Sequence, residues 1–340
     1  MARQLTPIWF EQVRHKLRLP LWAGAVVVVF LPFILLDALS SYFAGAWGYY
    51  STFEATQYPT VLPFLILEYY GAVYCYSRIE HLQSYCQSLG VGPDVGLDMN
   101  SLTSLKRITI LAAGFFSVFV PIYAFYGTQN LSVEQSFVVL TVPWTYFFLV
   151  LATFVYVYCY SMYSIYRMGN LPLRLKPFTE DRTLGLRPFG AVSLRLTLVY
   201  LALVALALVS TTQQPSGVGL SGAGAFYLVL LFTGLAGASL ILFTLPLVGL
   251  HRKLVAAKRR ELSWLGPRRS KIVEVMRISS DGGFDVDLLN EYNRIGQVER
   301  DIQQVHNWPL DISILARLLA VILSITAIIL SRVIANTFNF

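Results

Sequence analysis

Apolar runs alternate with short polar stretches along most of this chain. A helix of about 20 apolar residues crosses the roughly 30 Å hydrocarbon core of a bilayer. Seven runs reach that scale, at residues 21–39, 59–77, 108–126, 137–160, 189–210, 223–249 and 311–335. The pattern predicts an all-α, polytopic membrane protein with seven transmembrane helices. Pro32, Pro121, Pro143 and Pro246 fall inside the first, third, fourth and sixth runs. Proline is tolerated there when a neighbouring helix or water takes up the freed carbonyl, so each marks an expected kink.

The pattern changes between the sixth and seventh runs. Residues 251–278 read as a basic helix that begins HRKLVAAKRRELSW, with Gly266-Pro267 expected to interrupt it. SSDGGFD reads as a turn. From 285 to 306 the residues Leu288, Tyr292, Ile295, Val298, Ile302 and Val305 recur at steps of three and four, which is one apolar stripe on a helix. The stripe has three places to bury: the preceding helix, the same helix of another copy, or the membrane face. The mixed charge of Glu291, Arg294, Glu299, Arg300 and Asp301 argues against the membrane face. Trp308-Pro309 fits an interfacial anchor and a helix start. Three parts follow: a six-helix membrane unit at 1–250, a helical anchor at 251–309, and a seventh helix at 310–340.

Composition agrees with the membrane reading. Of 340 residues, 56% are hydrophobic and 13% charged, with mean hydropathy +0.58; soluble domains carry about a quarter charged residues. No small-residue cleavage site ends the first run, so a secretory signal is not expected. The net charge of +7 would suit nucleic acid, but its distribution suits topology better. Basic residues cluster before the first run (Arg3, Arg14, Lys16, Arg18), between the second and third (Arg78, Lys106, Arg107), and between the fourth and fifth (Arg167, Arg174, Lys176, Arg182, Arg187). Eleven more lie between the sixth and seventh, and the loops at 40–58, 127–136 and 211–222 contain none. By the positive-inside rule the N-terminus is cytoplasmic and the C-terminus outside, the reverse of a G-protein-coupled receptor. The expected location is a plasma membrane or a bacterial or archaeal inner membrane. Asn130-Leu131-Ser132 is a sequon on the outer side.

Chemistry-bearing residues inside the runs are few. Ser313, Arg317, Ser324 and Ser331 follow at steps of four, seven and seven, so they share one face of the seventh helix. A polar face that includes an arginine is what a pore-lining helix would present; backbone-satisfied serines and a snorkelling arginine are the plainer account. Glu68 lies mid-run, where escape to water is difficult. It is expected to be neutral, bonded to a tyrosine, or paired with Arg195 or Arg317. Asp37 and Arg332 lie near the outer ends of the first and seventh helices and form a candidate pair. Tyr69, Tyr70 and Tyr74 on the second helix and Tyr156, Tyr160 and Tyr163 on the fourth form either an interfacial belt or a ligand cavity. In the 167–188 loop, Glu180 or Asp181 is expected to pair with an arginine. Gly234 and Ala238 have the small-xxx-small spacing of close helix packing.

No catalytic constellation appears, so an enzyme is not expected, and no cofactor or metal is implied. Cys75, Cys86 and Cys159 form no spaced pair, and His15, His81, His251 and His306 lack ligand spacing. DGGFDVD lacks the order of ligands in a calcium loop. There is no Walker motif, no GxGxxG after a strand and no GxSxG.

The loop asymmetry, the paired helices at 251–307 and the helix from Asp311 to Val333 together resemble insect odorant and gustatory receptor channels. The resemblance is one of topology. It implies a homotetramer with anchor helices bundled in the cytoplasm and four copies of the last helix around a pore. On this reading the chain is an oligomeric ion channel, opened by a small-molecule ligand at the tyrosines. Two other classes stay open: a secondary transporter or proton-coupled permease using Glu68, and a scaffold or sensor whose anchor helices bind a soluble partner.

Overall fold

The computed structural model describes residues 7–48, 58–90, 103–126, 132–212, 222–279 and 286–309, and several positions between 316 and 331. Among the described residues every regular element is a helix. The elements are α1 (Trp9–Lys16), α2 (Leu21–Phe43), α3 (Tyr58–Ser88), α4 (Leu105–Tyr126), α5 (Val133–Asn170), α6 (Arg187–Thr212), α7 (Gly222–Thr244), α8 (Val248–Ser279) and α9 (Val286–Gln303). The described positions from 316 to 331 are helical and are called α10. Four stretches are long and apolar enough to cross a membrane: Leu21–Phe43, Glu134–Asn170, Arg187–Leu208 and Thr233–Arg277. Among its described residues the protein is all-helical, and these long apolar helices mark it as membrane-embedded.

α3 packs on α2, α5 and α6. Its buried face runs Leu65, Glu68, Tyr69, Ala72, Cys75, Tyr76, Ile79, Leu82 and Cys86, at steps of three and four. Gly71 lets α3 come close: a Cβ there would lie 2.8 Å from a Phe154 ring carbon of α5 and 3.0 Å from a Val199 methyl of α6. α5 is the longest helix, at 38 residues, or about 57 Å. It starts in a reciprocal cap. Ser132 Oγ accepts from the Gln135 amide, and Ser132 N–H donates to Gln135 Oε1, each at 3.2 Å.

Prolines leave different marks. Before Pro32, residues Ala25–Phe30 adopt a π-helical stretch. Proline has no N–H, so the Val28 carbonyl one turn back lacks its usual partner; the Tyr146 hydroxyl of α5 donates to that oxygen instead. Pro246 sits in a 3-10 turn, Leu245–Leu247, between α7 and α8. Pro143 and Pro267 lie inside unbroken helices. The interruption expected at Gly266-Pro267 therefore does not occur. Ser263, whose carbonyl Pro267 frees, is exposed, and water can satisfy it.

α1 packs into the bundle. Ile8 and Phe10 are wholly buried. The Phe10 ring lies 4.9 Å from that of Tyr69 on α3, and Trp9 Nε1 donates to Thr153 Oγ1 of α5 at 2.9 Å. A left-handed residue, Arg18 (φ 52°), then turns the chain into Pro20 and α2.

α8 and α9 form an antiparallel hairpin. Leu265 and Ile272 of α8 meet Ile295 and Ile302 of α9, flanked by Leu262, Met276, Tyr292 and Val298. The α9 stripe thus buries on the helix of its own chain. Arg268–Glu291 (2.9 Å) and Arg269–Glu299 (2.7 Å) cross the seam in half-exposed positions. Exposed pairs contribute about 0–1 kcal/mol each, whereas a buried leucine or isoleucine contributes roughly 1.5–3 kcal/mol. The apolar seam therefore decides the pairing.

The 171–186 loop wedges between hairpin and bundle. Phe178 packs on both the main core and the hairpin core. Asp181 organises the loop, though not by pairing with an arginine. Its carboxylate accepts from Thr183 N–H (2.8 Å), Thr183 Oγ1 (2.8 Å) and Gly185 N–H (3.0 Å). These bonds hold two successive left-handed residues, Leu184 (φ 53°) and Gly185 (φ 85°).

The small-residue spacing on α7 does not make the expected contact. A Cβ at Gly234 would meet nothing within 4 Å among the described residues. Among the described side chains of α7 the buried positions are instead Ala236, Ser239 and Phe243.

Candidate functional site

The site is where the hairpin hands the chain to α10. The first turns of α8 hold the far end of α9 and the connector after it. Lys258 Nζ donates to the carbonyls of Gln303 (2.7 Å) and Val305 (3.1 Å), the orphan acceptors at the end of α9. His251 stacks on Trp308 with centroids 4.3 Å apart, and its Nδ1–H donates to the Asn307 carbonyl at 2.7 Å. Lys253 Nζ donates to the Leu171 carbonyl at the end of α5, and the His306 amide donates to the Arg182 carbonyl at 3.1 Å. The first turns of α8 thus tie both the start of the 171–186 loop and the segment after α9 to one helix.

α10 lies at the edge of the bundle. Of its described residues, Ile322 is buried in the main core. Arg317, Ser324 and Ser331 are exposed, as are Leu319, Val321 and Leu323. Ser324 Oγ donates to the Ala320 carbonyl at 2.8 Å. Ala320, Val321 and Ser324 line an apolar groove of about 340 Å³ with Leu198, Leu201, Ala202 and Ala205 of α6. Arg317 and Ser331 of the seven-residue repeat are thus exposed, while Ser324 borders the groove against α6. Ser313 and Arg332 lie outside the described residues.

The other expected residues do not join this site. Glu68 has no exposed surface, and neither of its oxygens has a hydrogen-bond partner among the described residues. It bonds to no tyrosine there, and Arg195 is exposed. Asp37 accepts from the Tyr58 hydroxyl at 2.6 Å. With Arg332 outside the described residues, the expected Asp37–Arg332 pair lies there too.

The tyrosines divide into separate groups. Tyr69 is buried against Phe10 of α1 and Tyr70, with ring centroids 4.9 and 5.5 Å away. Tyr74 lies under the Arg78 guanidinium at 4.9 Å. On α5, Tyr156, Tyr160 and Tyr163 form a ladder with centroids 6.2 and 6.1 Å apart, and Tyr163 is exposed. α1 fills the space beside Tyr69. The apolar triplet Ile8-Trp9-Phe10 is the sequence signal for that insertion, and the basic residues after it hide the signal.

No family model, curated protein or solved structure matches the chain.

Proposed function

We propose that the chain is a subunit of an oligomeric ion channel whose pathway is lined by α10. In this reading the chain spans the membrane seven times, with its N-terminus and the α8–α9 hairpin in the cytoplasm and its C-terminus outside. It resides in a plasma membrane or a prokaryotic inner membrane. Copies form a closed ring, a tetramer by analogy with the channels it resembles, and a small-molecule ligand acting from the outer side opens it.

The observation that carries the reading is the exposure of Arg317, Ser324 and Ser331 at the bundle edge. An arginine facing lipid would be expensive. A second copy or a water-filled pathway removes that cost. The junction around His251 and Lys258 supports the reading, because it gives the hairpin a rigid hold on the root of α10.

Arg317 places positive charge in the pathway and disfavours cations. The test combines native mass spectrometry with bilayer recordings of the full-length protein. The expected result is a closed oligomer whose anion-to-cation permeability ratio falls in Arg317→Glu. A strictly monomeric protein, or unchanged selectivity in a conducting Arg317→Glu variant, would overturn the assignment.

A further inference from the structure

The buried face of α3 carries one carboxyl, and nothing in the channel reading uses it. Glu68 is fully enclosed, on a stripe with Leu65, Ala72, Cys75 and Ile79. Neither oxygen meets a donor among the described residues.

None of the described polar groups of the surrounding helices bonds to it, the buried hydroxyls of Tyr69 and Tyr158 included. From α5, Tyr146 donates to Val28. From α6, Tyr200 donates to the Leu235 carbonyl at 3.3 Å, and Arg195 is exposed. Tyr158 and Cys159 of α5 lie further along the chain, a turn and more past Phe154, the residue that meets Gly71. From α1, Glu11 and Arg14 pair with each other at 3.3 Å. The π-helical stretch of α2 that packs on α3, Ala25–Phe30, contains no titratable side chain.

A carboxylate ion buried without donors is far costlier than the neutral acid, which loses only the hydrogen bonds it made to water. An apolar side chain at this position would pack at lower cost than either. The carboxyl group is a base that can take one proton. A metal ion would need several converging oxygens, and the described residues contain no cluster of three His, Cys, Asp or Glu.

We propose that Glu68 is a proton-binding site that reports whether the bundle is closed. With α3 packed on α5 and α6, the carboxyl holds its proton. When the helices part and water reaches the group, the O–H bond breaks, its electron pair stays on the carboxylate, and the proton passes to water. The site lies in the bundle core, so it stands whether or not α10 lines a pathway.

The test is pH-difference infrared spectroscopy on the full-length protein in lipid, with amide exchange of α3 read in parallel. Wild type should show the C=O stretch of a neutral carboxylic acid in apolar surroundings. That band should vanish in Glu68→Gln and shift in Glu68→Asp, the variant to use if the amide fails to fold. Raising the pH should remove the band and speed exchange at 65–72 together, in wild type alone. A spectrum identical in wild type and Glu68→Gln would overturn the proposal. So would a band that responds to sodium in place of potassium at fixed pH.

Discussion

The hydroxyl of Tyr146 donates to the carbonyl of Val28, the oxygen that Pro32 leaves without its usual partner. The two residues are 118 apart in sequence, and together they repair a break in α2. A polar group buried without a partner costs about 1–3 kcal/mol. Tyr146→Phe should therefore destabilise the protein by about 1–3 kcal/mol. In a Pro32→Ala background the helix regains its own donor, and the same substitution should cost less than half as much. Thermal unfolding of the four variants in detergent gives the coupling energy directly. Additive effects would show that the bond does not serve the proline.

The 171–186 loop makes a pH-dependent prediction. Burial opposes the charge of Asp181, but the hydrogen bonds from Thr183 and Gly185 and the nearby Lys176 outweigh it, so its pKa lies below the ordinary 3.8. A depressed carboxylate pKa stabilises the fold above the ordinary value, and that contribution is lost as pH falls through the lowered one. The loop should hold at neutral pH and loosen only below about pH 4, in the range of an ordinary aspartate. Asp181→Ala should loosen it at every pH, by about 1 kcal/mol for a half-exposed acceptor. Amide exchange at Thr183 and Gly185, normalised to an unstructured peptide, separates the cases. Equal protection in the variant at pH 7 would show that the carboxylate does not hold the turn.

The sequence shows the architecture more clearly than it shows the contacts. Apolar runs and the three-and-four stripe of Tyr292, Ile295, Val298 and Ile302 mark the helices, because burial on one face imposes a period. Which helix receives a stripe depends on shape, and a period does not show that Leu265 and Ile272 of α8 face the stripe of α9. Pro267 looked like a break because proline removes a donor, but an exposed carbonyl on α8 has water to bond. Asp181 looked like half of an ion pair, yet two backbone amides and a hydroxyl satisfy it within four residues. α1 was the least legible element. Its buried residues are a triplet, too short for a period, and Arg14, Lys16 and Arg18 gave it the composition of a surface segment. The face of α10 is readable as a repeat, but the repeat does not say that Ser324 borders a groove against α6.

His251 and Trp308 make the last prediction, because their contact decides how firmly α10 is rooted. Ring stacking contributes about 0.5–1.5 kcal/mol beyond burial, and the bond from His251 to Asn307 a net 0.5–1.5 kcal/mol. His251→Ala removes both, roughly 2 kcal/mol, which corresponds to about a 30-fold rise in local opening. His251→Phe keeps the stack and loses only the hydrogen bond, so its effect should be about half as large in free energy. Lys258 holds the preceding carbonyls of Gln303 and Val305 in both variants, so the opening should stay confined to residues near 306–309. Amide exchange over 300–309 reads the extent and the rank order. Faster exchange throughout α9 in His251→Ala would mean that the stack supports the whole hairpin. An unchanged rate at 306–309 would mean that Lys258 and the buried Val305 root α10 without it.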